Sequence, residues 1–110
     1  MIDWSHVQQL CLEVGTEDFD EVVELFFEEV EDTLSRLEER NDTASLAADM
    51  HFLKGSALSL GFSEMSQLCH AAEKSAENGA SDGVNIGGIL QVYSASKQEF
   101  LADYRVKLAA

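Results

Sequence analysis

The sequence predicts an all-α protein, an antiparallel up-down four-helix bundle with a short additional N-terminal helix. Three observations carry this expectation. No proline occurs in the 110 residues, so no helix is broken by a missing backbone donor. Apolar residues recur at spacings of three and four in successive windows along the chain, which is the period of a helix with one buried face. The segments between these windows are short and carry the Gly, Asn, Asp, Ser and Thr that end and restart helices. Short connections between long amphipathic helices argue for a bundle. At this length the chain reads as one domain, residues 1–110, large enough for a real core.

The first helix is expected over residues 3–14, with Asp3 as its N-cap and Trp4, Val7, Leu10, Cys11 and Val14 on one face. His6 sits beside that stripe and reads as a partly exposed structural residue. Gly15-Thr16 breaks the chain, and Thr16 is the candidate N-cap of a long acidic helix over 17–40. Phe19, Val23, Phe26, Val30, Leu34 and Leu37 form its inward stripe, widened by Val22 and Phe27. Glu21, Glu24, Glu28, Glu31, Asp32 and Glu38 fill the gaps in that pattern, so they read as a solvated face rather than a metal or catalytic cluster. Asn41-Asp42-Thr43 is a turn and cap cluster ahead of a third helix, about 43–60, with Gly61 as its C-cap. Ser63 then caps a fourth helix over 63–77 that turns Met65, Leu68, Cys69, Ala72 and Ala76 inward. Asn78 to Gly88 reads as a loop. A last helix, about 86–108, buries Ile86, Ile89, Tyr93, Phe100, Tyr104 and Leu108, its pattern weakened by the polar run Ser94 to Gln98.

The formal net charge is −14, from 21 acids against 7 bases. Such a surface repels nucleic-acid backbones and anionic membranes, so neither is an expected partner. No apolar run approaches the roughly 20 residues that span a bilayer, and the N-terminus is not a basic-then-apolar leader. A cytoplasmic monomer is the expectation. Cys11 and Cys69 fall in apolar helical phase and read as buried free thiols.

The third helix carries the functional signal. Leu46, Met50, Leu53, Ala57 and Leu60 form one inward stripe at helical spacing, and at about 100° per residue His51 points roughly 140° from its centre. His51 is therefore not a core histidine. Around it on the outer face lie Ala44, Ala47, Ala48, Gly55 and Leu58, with Lys54 three residues on. An ordinary solvated face would be filled with Glu, Lys and Gln. This one is small, smooth and largely uncharged, as expected of a surface on which a partner docks. The helix has a single acid, Asp49, which phases away from His51, so the His51 face is expected to be spared negative charge. Gly55 interrupts a strong helical pattern at a cost of about 0.5–1 kcal/mol relative to alanine. Two reasons for it are open: room beside the imidazole for a partner, or close packing against another helix of the same bundle.

His51-x-x-Lys54-Gly55-Ser56-Ala57, followed by Leu60-Gly61 and the later Leu68-Cys69-x-x-x-Glu73, resembles the signature of histidine-containing phosphotransfer domains of multistep phosphorelays. The resemblance implies the same bundle, with an exposed phosphoacceptor histidine midway along one helix. It implies response-regulator receiver domains as partners, a hybrid sensor histidine kinase among the proteins it serves, and Mg²⁺ bound by the receiver rather than by this chain. His51 would attack the receiver's acyl phosphate through one ring nitrogen, Nε2, while a partner on the other fixes its orientation. Lys54 would offset phosphoryl charge. By the same resemblance Glu73 falls where family members place a polar residue near the histidine. Glu77 stands where some carry a basic residue, which puts a two-cation arrangement in doubt.

No nucleotide-binding glycine loop and no carboxylate cluster suited to Mg²⁺ occurs in the sequence, so autophosphorylation from ATP is not expected. Two rival classes remain. A metal-binding bundle using His51, His70 and Glu73 lacks the inward-facing Glu-x-x-His pairs that such sites need. An acidic interaction module would bind a partner through the His51 face without any chemistry.

Overall fold

The protein is described here by a computed structural model in which residues 2–39, 45–79 and 84–109 are described. Among the described residues five helices follow one another: α1 (Trp4–Val14), α2 (Phe19–Glu39), α3 (Leu46–Ser59), α4 (Ser63–Glu77) and α5 (Ile86–Ala109). The described residues contain no strand, only an isolated bridge between Ile2 and Phe62. The all-α expectation holds. The cap cluster Asn41-Asp42-Thr43 lies outside the described residues.

Local chemistry sets the helix ends. The Asp3 carboxylate accepts from the Ser5 N–H at 3.1 Å and caps α1 as expected. Thr16 does not cap α2. The Asp18 N–H donates to the Gly15 carbonyl at 3.3 Å, so the chain makes a further turn and the helix starts at Phe19. Ser63 is likewise the first helical residue rather than the cap, with Phe62 at the cap position. The α3–α4 turn is a Schellman closure: the Phe62 N–H donates to the Ala57 carbonyl at 2.8 Å and the Gly61 N–H to Leu58 at 3.0 Å. Gly61 takes φ +74°, and a Cβ there would collide with the Asp3 carbonyl oxygen. That oxygen is close because the Asp3 N–H donates to the Gly61 carbonyl at 2.7 Å. The start of α1 is thereby pinned to the end of α3. At α5 the Asn85 side chain accepts from the Gly88 N–H at 3.0 Å, so Gly87 and Gly88 belong to the first turn of the helix and not to the preceding loop.

The core centres on aromatic rings. Phe62 and Phe100 are fully buried, 5.8 Å apart between centroids, and Phe27 packs on both at 6.3 and 5.9 Å. Trp4 stacks on Phe100 from α1. Phe27, expected only to widen the α2 stripe, is thus a central core residue, while Phe26 and Leu37 are partly buried. Leu68 is 39% exposed instead of inward. It stands at the rim of a crevice between α4 and the start of α5, also lined by Val84 and Ile89. Cys69 is buried and Cys11 half-buried, both as free thiols. Burial pushes the Cys69 thiol up to about 12.

Side-chain contacts tie α2 to α5. Tyr104 donates to Asp20 at 2.8 Å, and Tyr93 and Lys97 both donate to Glu31. Arg36 reaches Asp49 at 3.5 Å and links α2 to α3. The most closely packed pair is α3 with α4. That pairing brings the second half of α4 beside His51.

Candidate functional site

The α3 stripe is buried throughout: Leu46, Met50, Leu53, Ala57 and Leu60 are all core residues, with Met50, Leu53 and Leu60 fully inaccessible. With that face fixed inward, helical phase turns His51 out, and its side chain is 69% exposed. Glu73 arrives from α4. Its Oε2 lies 2.9 Å from His51 Nδ1, and its Oε1 accepts from Lys54 Nζ at 2.7 Å. One carboxylate therefore holds both sequence-predicted α3 residues. The Ser66 hydroxyl adds a second α3–α4 tie, donating to the Lys54 carbonyl at 3.3 Å.

The tautomer follows from this geometry. An ionised carboxylate can only accept, so the hydrogen between the two groups sits on Nδ1. Nε2 of the neutral ring then carries the lone pair, on a side chain whose one ring contact among the described residues goes through Nδ1. The Lys54 ammonium, more than the His51 hydrogen bond, holds the Glu73 carboxyl below its ordinary range. Glu73 therefore stays an acceptor well into mildly acidic solution.

The apron around His51 is where phase places it. Ala48 and Gly55 are exposed, Ala47 is half-buried, and Leu58 is 46% exposed. Ala44 lies outside the described residues. A Cβ added at Gly55 would meet nothing within 4 Å. This disposes of the helix-packing explanation for that glycine and leaves open space next to the imidazole.

One expectation fails. The His51 face is not spared negative charge, because α4 delivers a carboxylate to the imidazole itself. Counting acids along α3 missed it, since the acid belongs to a different helix. Its charge is met on the spot by Lys54, which is consequently tied down rather than extended over the surface. Phe52, 38% exposed and adjacent to His51, also escaped the sequence reading. Its signal was present as an apolar residue outside the inward stripe. Glu77 is exposed on the last turn of α4.

Among the described residues neither of the other histidines stands beside a carboxylate that also holds a lysine. His6 lies 3.4 Å from the carboxylate of Asp3 on its own helix, and His70 is exposed on α4. Among the described residues no three His, Cys, Asp or Glu side chains come together as a metal-holding group. No helix among them is long and apolar enough to cross a membrane.

No curated protein and no solved structure gives a significant match to this chain. A family model does: that of the Hpt domain, over residues 21–99, from early α2 to the middle of α5. The match takes in the whole of α3 and α4 and so the His51, Lys54 and Glu73 cluster, with α1 lying ahead of it. With well over half its length matched, the chain belongs to the Hpt domain family, the histidine phosphotransfer modules of two-component systems.

Proposed function

We propose that this protein is a phosphoryl carrier in a two-component phosphorelay, with His51 as the phosphoacceptor between the aspartates of two receiver domains. The observation that carries the reading is the exposed His51 held through Nδ1 by Glu73. In the forward step Nε2 attacks the phosphorus of the donor's aspartyl phosphate. The N–P bond forms, the P–O bond to aspartate breaks, and the aspartate leaves as a carboxylate. The Nδ1 proton stays on the ring throughout, and Glu73 balances the positive charge the ring gains. Attack by a second receiver's aspartate on the same phosphorus reverses the process and frees His51.

Lys54 serves this cycle from a fixed position. Anchored to Glu73 at 2.7 Å, it brings its positive charge to the imidazole side of the helix. Mg²⁺ held by the receiver supplies the remaining charge compensation at the phosphoryl oxygens. Ala47, Ala48, Gly55 and Leu58 form the flat surface against which the receiver settles. Upstream, the same face accepts phosphate from a receiver attached to a sensor histidine kinase. We place the protein in the cytoplasm as a monomer. We also read its helices α2 to α5 as an up-down antiparallel bundle. Supporting this, Asp20 pairs with Tyr104 while Glu31, further along α2, pairs with Tyr93, earlier in α5.

The test is a phosphorylated receiver domain incubated with wild-type protein and with His51→Gln. Wild type should acquire acid-labile phosphate, and the variant none, with unchanged helical content and melting temperature because an exposed ring contributes little packing. Label that persists in His51→Gln, or moves to His6 or His70, would sink the assignment. Receiver binding without any labelling of wild type would instead favour the interaction module.

A further inference from the structure

We propose that Asn78 is a site of spontaneous covalent modification, converting to isoaspartate and aspartate through a succinimide formed with Gly79. The chemistry needs an asparagine whose side-chain amide can be reached by the backbone nitrogen of the next residue. The end of α4 supplies both groups. Asn78 holds the C-cap position and Gly79 follows it, and both are exposed. Gly79 has no side chain to shield its nitrogen, and even an added Cβ would meet nothing within 4 Å. Water and hydroxide can therefore approach both reacting groups.

The reaction balances with water as the only co-reactant. Hydroxide takes the proton from the Gly79 N–H, and the nitrogen attacks Cγ of the Asn78 amide. The new C–N bond closes the succinimide ring, and the amide nitrogen leaves as ammonia with protons drawn from water. Water then opens the ring at either carbonyl. Opening at the backbone carbonyl leaves the chain running through Cγ, which is isoaspartate, while opening at Cγ gives ordinary aspartate.

The folded conformation sets how fast this runs. Asn78 sits at φ −89° and ψ 8°, a helix-like setting that must rotate before the nitrogen can reach Cγ. The Gly79 N–H must also leave the Ala76 carbonyl, which it meets at 3.2 Å. That bond is long, exposed and lies beyond Glu77, the last helical residue, where local opening is easiest. Such a bond is worth at most about tenfold in an equilibrium. Gly79, already at φ +79°, gives the chain the freedom to make the rotation.

Asn85 supplies the contrast. It is also exposed at a helix end, but its Oδ1 accepts from the Gly88 N–H at 3.0 Å and its carbonyl from the Ile89 N–H at 3.2 Å. The residue after it is Ile86, whose β-branch crowds the nitrogen that would attack. Conversion should therefore select Asn78. Its product places a carboxylate beside Glu77, at the helix end where the backbone carbonyls already concentrate negative charge. Isoaspartate also lengthens the main chain between the Asn78 N–H, bonded to Lys74 at 3.1 Å, and the Gly79 N–H. The last turn of α4 should loosen.

The experiment holds the folded full chain in mildly alkaline buffer, beside Asn78→Gln and a synthetic peptide of residues 74–84. Circular dichroism checks that both proteins stay folded. Anion exchange reads the added charge, enzymatic methylation reads isoaspartate, and peptide mapping by mass locates it. Wild type should accumulate a more acidic species carrying isoaspartate at Asn78. Its rate should rise with pH and lie within about tenfold of the peptide's. Hydrogen exchange in that species should be faster at the end of α4 than in unconverted protein. Asn78→Gln should stay homogeneous, because its longer side chain would have to close a larger ring. Conversion slower than the tenfold margin would mean that the cap protects Asn78, and the proposal falls. Conversion confined to Asn85 or another asparagine, or an acidic species that forms equally in Asn78→Gln, overturns it as well.

Discussion

Glu73 and Glu31 stand in nearly the same chemical arrangement, yet one supports a reactive site and the other a strut. Glu73 joins Lys54 to His51, and Glu31 joins Lys97 to Tyr93. In both, a lysine is the main cause holding the carboxyl below its ordinary range. The difference lies in the ring. Tyr93 is 4% exposed, its single hydroxyl is spent on Glu31 at 2.6 Å, and burial, more than that bond, raises its pKa. His51 has two ring nitrogens and commits only one. A carboxylate–lysine pair therefore does not identify a functional centre. The distinguishing feature is a second heteroatom left at the surface, with unobstructed space beside it.

The contrast predicts that the two clusters respond to mutation in opposite ways. The largest effect is expected from Gly55→Gln. Glutamine is a better helix former than glycine by up to about 1 kcal/mol, and a Cβ at this position has no neighbour within 4 Å. The variant should melt at or above the wild-type temperature while losing most phosphotransfer and receiver binding. A stable variant with full transfer would show that the space beside His51 is not used.

Tyr93→Phe should do the reverse. It removes a hydrogen bond to a charged acceptor, worth about 1 kcal/mol net where Glu31 can still meet water and Lys97. The melting temperature should fall by roughly 4–8 °C, with phosphotransfer per folded molecule unchanged. Reduced transfer at a temperature where the variant is fully folded would mean that the α2–α5 strut reaches the site, and the separation of roles would fail.

Much of this was legible in the sequence because α3 is unusually explicit. Its inward stripe is complete, and every one of its five members is buried. Once that face is assigned, the direction of His51 and the exposure of Ala48, Gly55 and Leu58 follow from helical phase alone. What crosses between helices was less legible. Periodicity gives the face of a residue but not the rotation of one helix about another, so Phe26 and Phe27 could not be ranked. For the same reason the Glu73 carboxylate beside His51 came only from the family resemblance. The caps at Thr16 and Ser63 failed because a Ser or Thr near a helix start offers a cap without fixing the residue at which the turn closes. The start of α1 is joined to the end of α3 by the Asp3–Gly61 contact, which no local pattern announces.

The smallest effect sharpens the account of Glu73. Its folded pKa is lowered, so its contribution to stability is present above the unfolded carboxylate value, near 4.5. That contribution is lost as pH falls through the lower, folded value. Since Lys54 is the first cause of the lowering, Lys54→Ala should raise the Glu73 pKa toward the ordinary carboxylate range without restoring it fully, because His51 still hydrogen-bonds the other oxygen. At neutral pH Glu73 is ionised in both proteins, and wild type keeps the small Lys54–Glu73 contribution that the variant lacks, so Lys54→Ala should melt slightly lower there. The two should converge on the acid side, once pH has fallen below the folded value and the Glu73 contribution is gone from both. Carbon-detected NMR titration of the Glu73 carboxyl reads this directly, and phosphohistidine lifetime reads its consequence for the proposed relay, with a modest shortening expected. An unchanged Glu73 titration would mean that the Lys54 contact at 2.7 Å does not persist in solution. The carboxylate would then be held by His51 alone, and Lys54 would return to being one more solvated side chain on an acidic protein.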